Sequence, residues 1–146
     1  MTESRVTALP AHLGWRLLAA IYDLLPLLAL WFVAAVLALA VAGGELDVQR
    51  PVDRLLVQFL VLAFSAVYFA VSWSRGGQTI GMKPWRLRVV RSDGAPLSPR
   101  RALLRFVVAL LSLALLGAGF WWALFDPQKR AWHDLAAGTL VVRLST

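Results

Sequence analysis

The chain has 146 residues, 60% of them hydrophobic and 16% charged, and its mean hydropathy is +0.69. That length holds one compact unit, the apolar excess is above what a soluble domain of this size carries, and charges clustered between long apolar runs exclude disorder and make lipid the solvent. The net charge of +7 is read as basic loops that hold topology and face anionic lipid headgroups; no nucleic-acid-binding module surrounds the basic residues, so nucleic acid is not an expected partner.

The first apolar run covers about 13–42, broken only by Arg16, Asp23 and Pro26. It has length to spare, because a helix needs ~20 residues to cross the hydrocarbon. Ala40-Val41-Ala42 resembles a signal-peptidase site. The run is too long for a signal core, however, is interrupted by Asp23 and is preceded by few positive charges, so an uncleaved span is expected. A slightly acidic segment from Gly43 to Arg54 follows, and the second run, 55–73, carries no charge. Loop 74–101 then sets Arg75, Lys83, Arg86, Arg88, Arg91, Arg100 and Arg101 against Asp93 alone. Such an excess places this loop and the N-terminus in the cytoplasm, in a bacterial-type inner membrane.

Within that loop, Trp85-Arg86-Leu87-Arg88-Val89 alternates apolar and basic side chains, and Asp93-Gly94 is a turn signal. A small β element or an interfacial segment lying on the membrane surface fits this pattern. The third run, 103–125, begins with Arg105 and ends at Trp121 and Trp122. Its length favours a simple third span. Gly117 and Gly119 offer the alternative of a re-entrant hairpin, which would return the polar segment 126–146 to the cytoplasm and agree with the basic residues it carries. The expected fold class is thus all-α, with about three transmembrane helices.

Chemistry has few candidates. Without cysteine and with only two histidines, disulfides, thiolate chemistry and the usual zinc sites are excluded, and neither a metal nor a cofactor is expected. Asp23 stands out. It lies roughly two helical turns beyond Arg16 and ~10 Å deeper along the axis, where a carboxylate costs ~2.5–3.5 kcal/mol at a span's centre. It is either an ion- or proton-handling carboxylate or a buried partner of Arg16, Arg105 or a loop donor. Intramembrane aspartyl proteolysis needs a second carboxylate in another span, and Asp134 lies outside the apolar runs. Ser-His-Asp catalysis lacks a nucleophile elbow, leaving His133 no serine to serve. No enzyme activity is expected. In Arg130 to Thr139, Asp134 either caps local N–H groups beside an interfacial Trp132 or reaches Arg16 and closes a polar network over Asp23.

Three separated motifs carry a resemblance. Gly14-Trp15-Arg16-Leu17-Leu18-Ala19-Ala20-Ile21-Tyr22-Asp23 comes first, then Gly77-Gln78-Thr79-Ile80-Gly81 with Val89-Val90 and Asp93-Gly94, then His133-Asp134-Leu135-Ala136-Ala137-Gly138-Thr139 with Val141-Val142. In this order they resemble the RDD family of small bacterial membrane proteins, named for one arginine and two aspartates. Met82-Lys83-Pro84-Trp85 departs from the basic and small residues expected there. The resemblance implies a single membrane domain over 1–146. It also implies one constellation of Arg16, Asp23 and Asp134, which Gln78, Thr79, Arg105, His133 and Thr139 are placed to support. The family's usual suggested role is transport of an undefined ligand. Two functions follow as expectations: a transporter of an ion or small ligand, oligomeric because three short spans enclose little pathway, or a non-catalytic scaffold or accessory subunit that meets a membrane partner protein or anionic lipid.

Overall fold

The computed structural model describes residues 8–145. It is mostly helical, in the order β1 (Ala8–Pro10), α1 (Leu13–Val41), α2 (Pro51–Gly76), β2 (Leu87–Arg91), α3 (Pro99–Ala114), α4 (Ala118–Trp121), a 3₁₀ turn (Trp122–Leu124), α5 (Trp132–Ala137) and β3 (Thr139–Leu144). The helices α1 and α2 are long and apolar enough to cross a membrane, and α3 with α4 passes the same test as a bent pair. The chain divides into two compact units, Met1–Asp23 with Phe69–Thr146, and Leu24–Tyr68.

The smaller unit holds the distal parts of α1 and α2. Pro26 lies within α1, and such interruptions are tolerated in membrane helices. Trp31 donates its indole N–H to Ser65 Oγ at 2.9 Å, and that hydroxyl donates to Val61 O at 2.8 Å. Trp31 is therefore a packing residue. Ala34 and Ala38, one turn apart, are completely buried. In the connection, Asp53 in the first turn of α2 accepts from Asp47 N–H at 3.1 Å.

The larger unit is built on a sheet that the all-α expectation did not contain. Its order is β1-β3-β2, antiparallel throughout. Val89 faces Val141 and Leu87 faces Arg143, while on the other side of β3 Leu9 faces Arg143 and Pro10 faces Val142. Pro10 is tolerated because β1 is an edge strand. The segment 126–146 is thus not merely an interfacial turn: it supplies α5 and the central strand.

The apolar run 103–125 is not one straight helix. Ser98 Oγ accepts from Arg101 N–H and Pro99 occupies the first turn, so α3 starts at Pro99. It stops where Leu116 and Gly117 both take left-handed φ angles, 57° and 75°. Gly117 N–H donates to Ser112 O at 2.8 Å and Leu116 N–H to Leu113 O at 3.1 Å, the paired bonds of a Schellman stop. The chain bends there by 106° into α4. Gly119 then passes so close to α3 that an added Cβ would lie 2.5 Å from Ser112 Oγ and 2.9 Å from Trp132. The glycine break, not the uninterrupted span favoured by length, describes this segment.

Candidate functional site

Two polar centres lie in the larger unit, both anchored on the first three turns of α1. The first is built on α5. Asp134 occupies the third position of that helix and reaches back to accept the N–H of Ala131 at 2.8 Å, half of a capping box. Gly138, at φ 64°, ends the helix and turns the chain into β3. This short helix holds Asp134 with no exposed surface, directly between two guanidinium groups.

Arg16 donates to Asp134 Oδ2 at 2.6 Å and to the carbonyl of Lys129 at 2.7 Å. Arg105, 3% exposed, donates to Asp134 Oδ1 and, at 2.7 Å, to Thr139 Oγ1. Its guanidinium also lies 4.8 Å from the ring centroid of Trp73, an attractive cation–π placement. A second arginine, Arg101, donates to Ala137 O at 3.1 Å and ties the start of α3 to the end of α5.

Burial raises the proton affinity of Asp134. Arg105 and Arg16 more than offset it, and the carboxyl titrates well below its ordinary range. His133 behaves oppositely. Burial first, and then the Arg105 charge, push its pKa down to about 3 against the pull of Asp134. Because Arg16 is only a donor, its contact with His133 Nε2 at 3.1 Å makes that nitrogen an acceptor and puts the ring proton on Nδ1. The neutral ring packs 4.9 Å from Phe120.

The second centre is Asp23, 4% exposed. Thr79 Oγ1 donates to its Oδ2 at 2.6 Å and Gly81 N–H to its Oδ1 at 2.8 Å. Met82 N–H in turn donates to Thr79 Oγ1 at 3.2 Å. The turn after α2 approaches α1 so closely that a Cβ on Gly81 would collide with Ala19 O and lie 2.7 Å from Asp23 Cγ. Only glycine fits there. Gln78 Nε2 donates to Leu87 O at 2.7 Å, and Gly77 O accepts from Val89 N–H at 2.7 Å. The Gly-Gln-Thr-Ile-Gly stretch thus works residue by residue to fasten α1, the end of α2 and β2. Pro84 sits in the turn before β2, which starts only after Arg86.

The residues singled out in the sequence therefore divide. Arg16, Asp134, Arg105, His133 and Thr139 form one centre; Asp23, Thr79 and, through the turn, Gln78 form the other. With Asp23 included, the buried charges on α1, α3 and α5 number two cations, Arg16 and Arg105, and two anions, Asp23 and Asp134. The partners that sequence reasoning missed are Trp73 under Arg105, Arg101 on Ala137, and Arg143, whose guanidinium lies 4.0 Å above the Trp15 ring. No spacing rule would have found them, since each contact joins distant segments. Among the described residues no cluster of His, Cys, Asp and Glu suits a metal ion.

Apolar helices fit to cross a bilayer, bound at one end to a small sheet through buried Arg–Asp contacts, define a membrane protein. The RDD family model matches residues 10–138, and the chain belongs to the RDD family. No curated protein and no solved structure matches it.

Proposed function

We propose that this chain is a non-catalytic membrane scaffold whose Arg/Asp/Asp constellation is a structural lock. The observation that carries this reading is the environment of Asp23, the one acidic residue within the apolar runs. Each of its carboxylate oxygens is engaged by a donor from the turn at Thr79–Gly81, which it holds against α1. Asp134 is likewise engaged by Arg16, Arg105 and the backbone. Neither carboxylate needs a transported ion to offset its burial. The proteolytic and nucleophilic chemistries already excluded gain no residues from this geometry, so the protein acts by holding and binding.

The topology of the reading follows from the sheet. Strands before α1, after α2 and after α5 pair side by side, so all three lie on one face of the bilayer. Between the first two the chain crosses twice, through α1 and α2. Between the last two it enters as α3, bends by 106° and comes back, a re-entrant hairpin rather than a third crossing. The arginine excess of 74–101 sets that face as cytoplasmic in a bacterial inner membrane; residues 1–7, to which the expectation for the N-terminus belongs, lie outside the described residues. The lock then fastens the hairpin and the spans to a cytoplasmic sheet that can meet a partner protein or anionic headgroups.

A transporter of an ion or small ligand is the competing reading, and one comparison separates them. Wild type and Asp23→Asn are reconstituted at matched folded amounts, and Na⁺, K⁺ and H⁺ flux and thermal unfolding are measured. An amide can accept from one of the two donors as before but loses charge-assisted strength at both, a cost of ~1–3 kcal/mol. The lock requires a lower unfolding temperature and no flux in either protein. Flux in wild type that disappears in a normally stable Asp23→Asn makes Asp23 a transport carboxylate and ends the scaffold reading.

A further inference from the structure

Where the sheet meets the start of α1 there is an open cleft of about 400 Å³, walled by β1, the turn at Pro84 and Arg86, the end of β3, and Trp15. Arg86 and Arg143 both line it, and no carboxylate does among the described residues. Arg143 lies on the Trp15 ring, which positions the guanidinium without neutralising it. Trp15 is itself wedged between His12, 5.7 Å away, and Trp85, 5.4 Å away. His12 also lines the cleft; its Nδ1 accepts from Gly14 N–H at 3.1 Å, so the neutral ring carries its proton on Nε2 as a further donor.

The backbone at Arg86 is unusual. Its φ is 56°, a region natural to glycine and costly for a long side chain. The conformation is enforced on both sides: Arg86 N–H donates to Lys83 O at 3.1 Å, and Arg86 O accepts from Leu144 N–H at 3.0 Å. The result is a guanidinium set into the wall of the cleft opposite that of Arg143.

Depth identifies the ligand. The cleft lies at the first turn of α1, a helix fit to cross the bilayer, at the level where tryptophan marks the headgroup region. Leu18 and Tyr22 share the face of Trp15 by helical spacing and are 37% and 46% exposed, an apolar track leading away from the cleft toward the hydrocarbon. Planar guanidinium groups are the side chains best matched to phosphate oxygens. We propose that this cleft binds the phosphodiester of an anionic phospholipid headgroup, with Arg86 and Arg143 as its donors, Trp15 as its floor and an acyl chain along Leu18 and Tyr22.

The test uses the full chain in detergent micelles, titrated with phosphatidylglycerol, phosphatidylcholine or inorganic phosphate while thermal unfolding is followed. Native mass spectrometry counts the retained lipids. Arg86→Gly is the informative variant: it removes the donor and relieves the positive φ, so without lipid it should unfold no earlier than wild type. Arg143→Gln is the second. Phosphatidylglycerol should raise the unfolding temperature of wild type and remain bound, phosphatidylcholine should do neither, and each variant should need about tenfold more phosphatidylglycerol for half its effect. Equal stabilisation by phosphatidylcholine, or an unchanged phosphatidylglycerol response in Arg86→Gly combined with Arg143→Gln, overturns the proposal. Inorganic phosphate alone reproducing the full shift also overturns it, in favour of a soluble phosphate.

Discussion

Asp134→Asn separates the charge of the α5 centre from its shape. The amide has nearly the volume of the carboxylate, so no cavity opens. It presents one acceptor where two guanidiniums and a backbone N–H had converged, and turns a donor toward one of them. Each ion pair is worth ~4 kcal/mol at 4 Å with an effective dielectric near 20. Against the two pairs stands the desolvation of a fully buried carboxylate, several kcal/mol. What decides the sign is that Arg105, at 3% exposure, stays buried without its counter-ion. Removing one partner of a buried pair costs ~3–5 kcal/mol, equivalent to a fall of about 6–20 °C in unfolding temperature for a chain of this size. Tryptophan fluorescence in detergent micelles would follow the melt. A double-mutant cycle with Arg105→Met should recover at least ~1 kcal/mol of the loss, since the stranded charge is then gone. A variant within about 1 kcal/mol of wild type, or strictly additive losses, would show the centre to be dispensable to stability and refute the lock.

Gly81→Ala should cost ~1–3 kcal/mol or more by overpacking, because its Cβ meets Ala19 O and Asp23; unchanged thermal stability and unchanged expression would mean the turn does not sit against α1. Acid should destabilise the protein from about pH 6.5 downward. His133 titrates at about 3 in the fold, below its ordinary value, so the unfolded chain binds the extra proton and stability falls by up to ~1.4 kcal/mol per pH unit through that window. Asp134, also depressed, adds its loss below its ordinary range near 4. Stability curves of His133→Gln should be flatter between pH 6 and pH 4, and parallel curves would exclude the buried neutral imidazole. Because the chain has no cysteine, single cysteines at Gly94, Ser145 and Gln49 can be labelled without background. The first two should react from one side of the membrane and the third from the other, and a label at Ser145 on the side of Gln49 would restore a full third crossing.

The spans of α1 and α2 were legible in the residues alone, because lipid exposure imposes a composition that a window of ~20 residues reveals without any partner. The charge bias of 74–101 was legible for the same reason: it acts through composition and not through contact. Arg16, Asp23 and Asp134 could be singled out because charge is expensive near the hydrocarbon. Their partners could not. Arg16 and Asp23 share a helical face, yet Arg16 turns to Asp134, 118 residues away, while Asp23 is held by Thr79 and Gly81. Which cation meets which anion is set by where α5 and the turn after α2 come to rest, and those positions arise from non-local packing. The sheet was only half visible. The alternation around Leu87 and Val89 suggested one strand, but the edge strand Ala8–Pro10 is too short to carry a period, and a strand acquires its hydrogen bonds only from another segment of the chain. The glycines near 117 marked a place where the third apolar run was free to break. That it turns there by 106° was decided by the return path: β3 must lie between β1 and β2, and Arg105 must reach Asp134, and both demand that the chain leave on the side it entered.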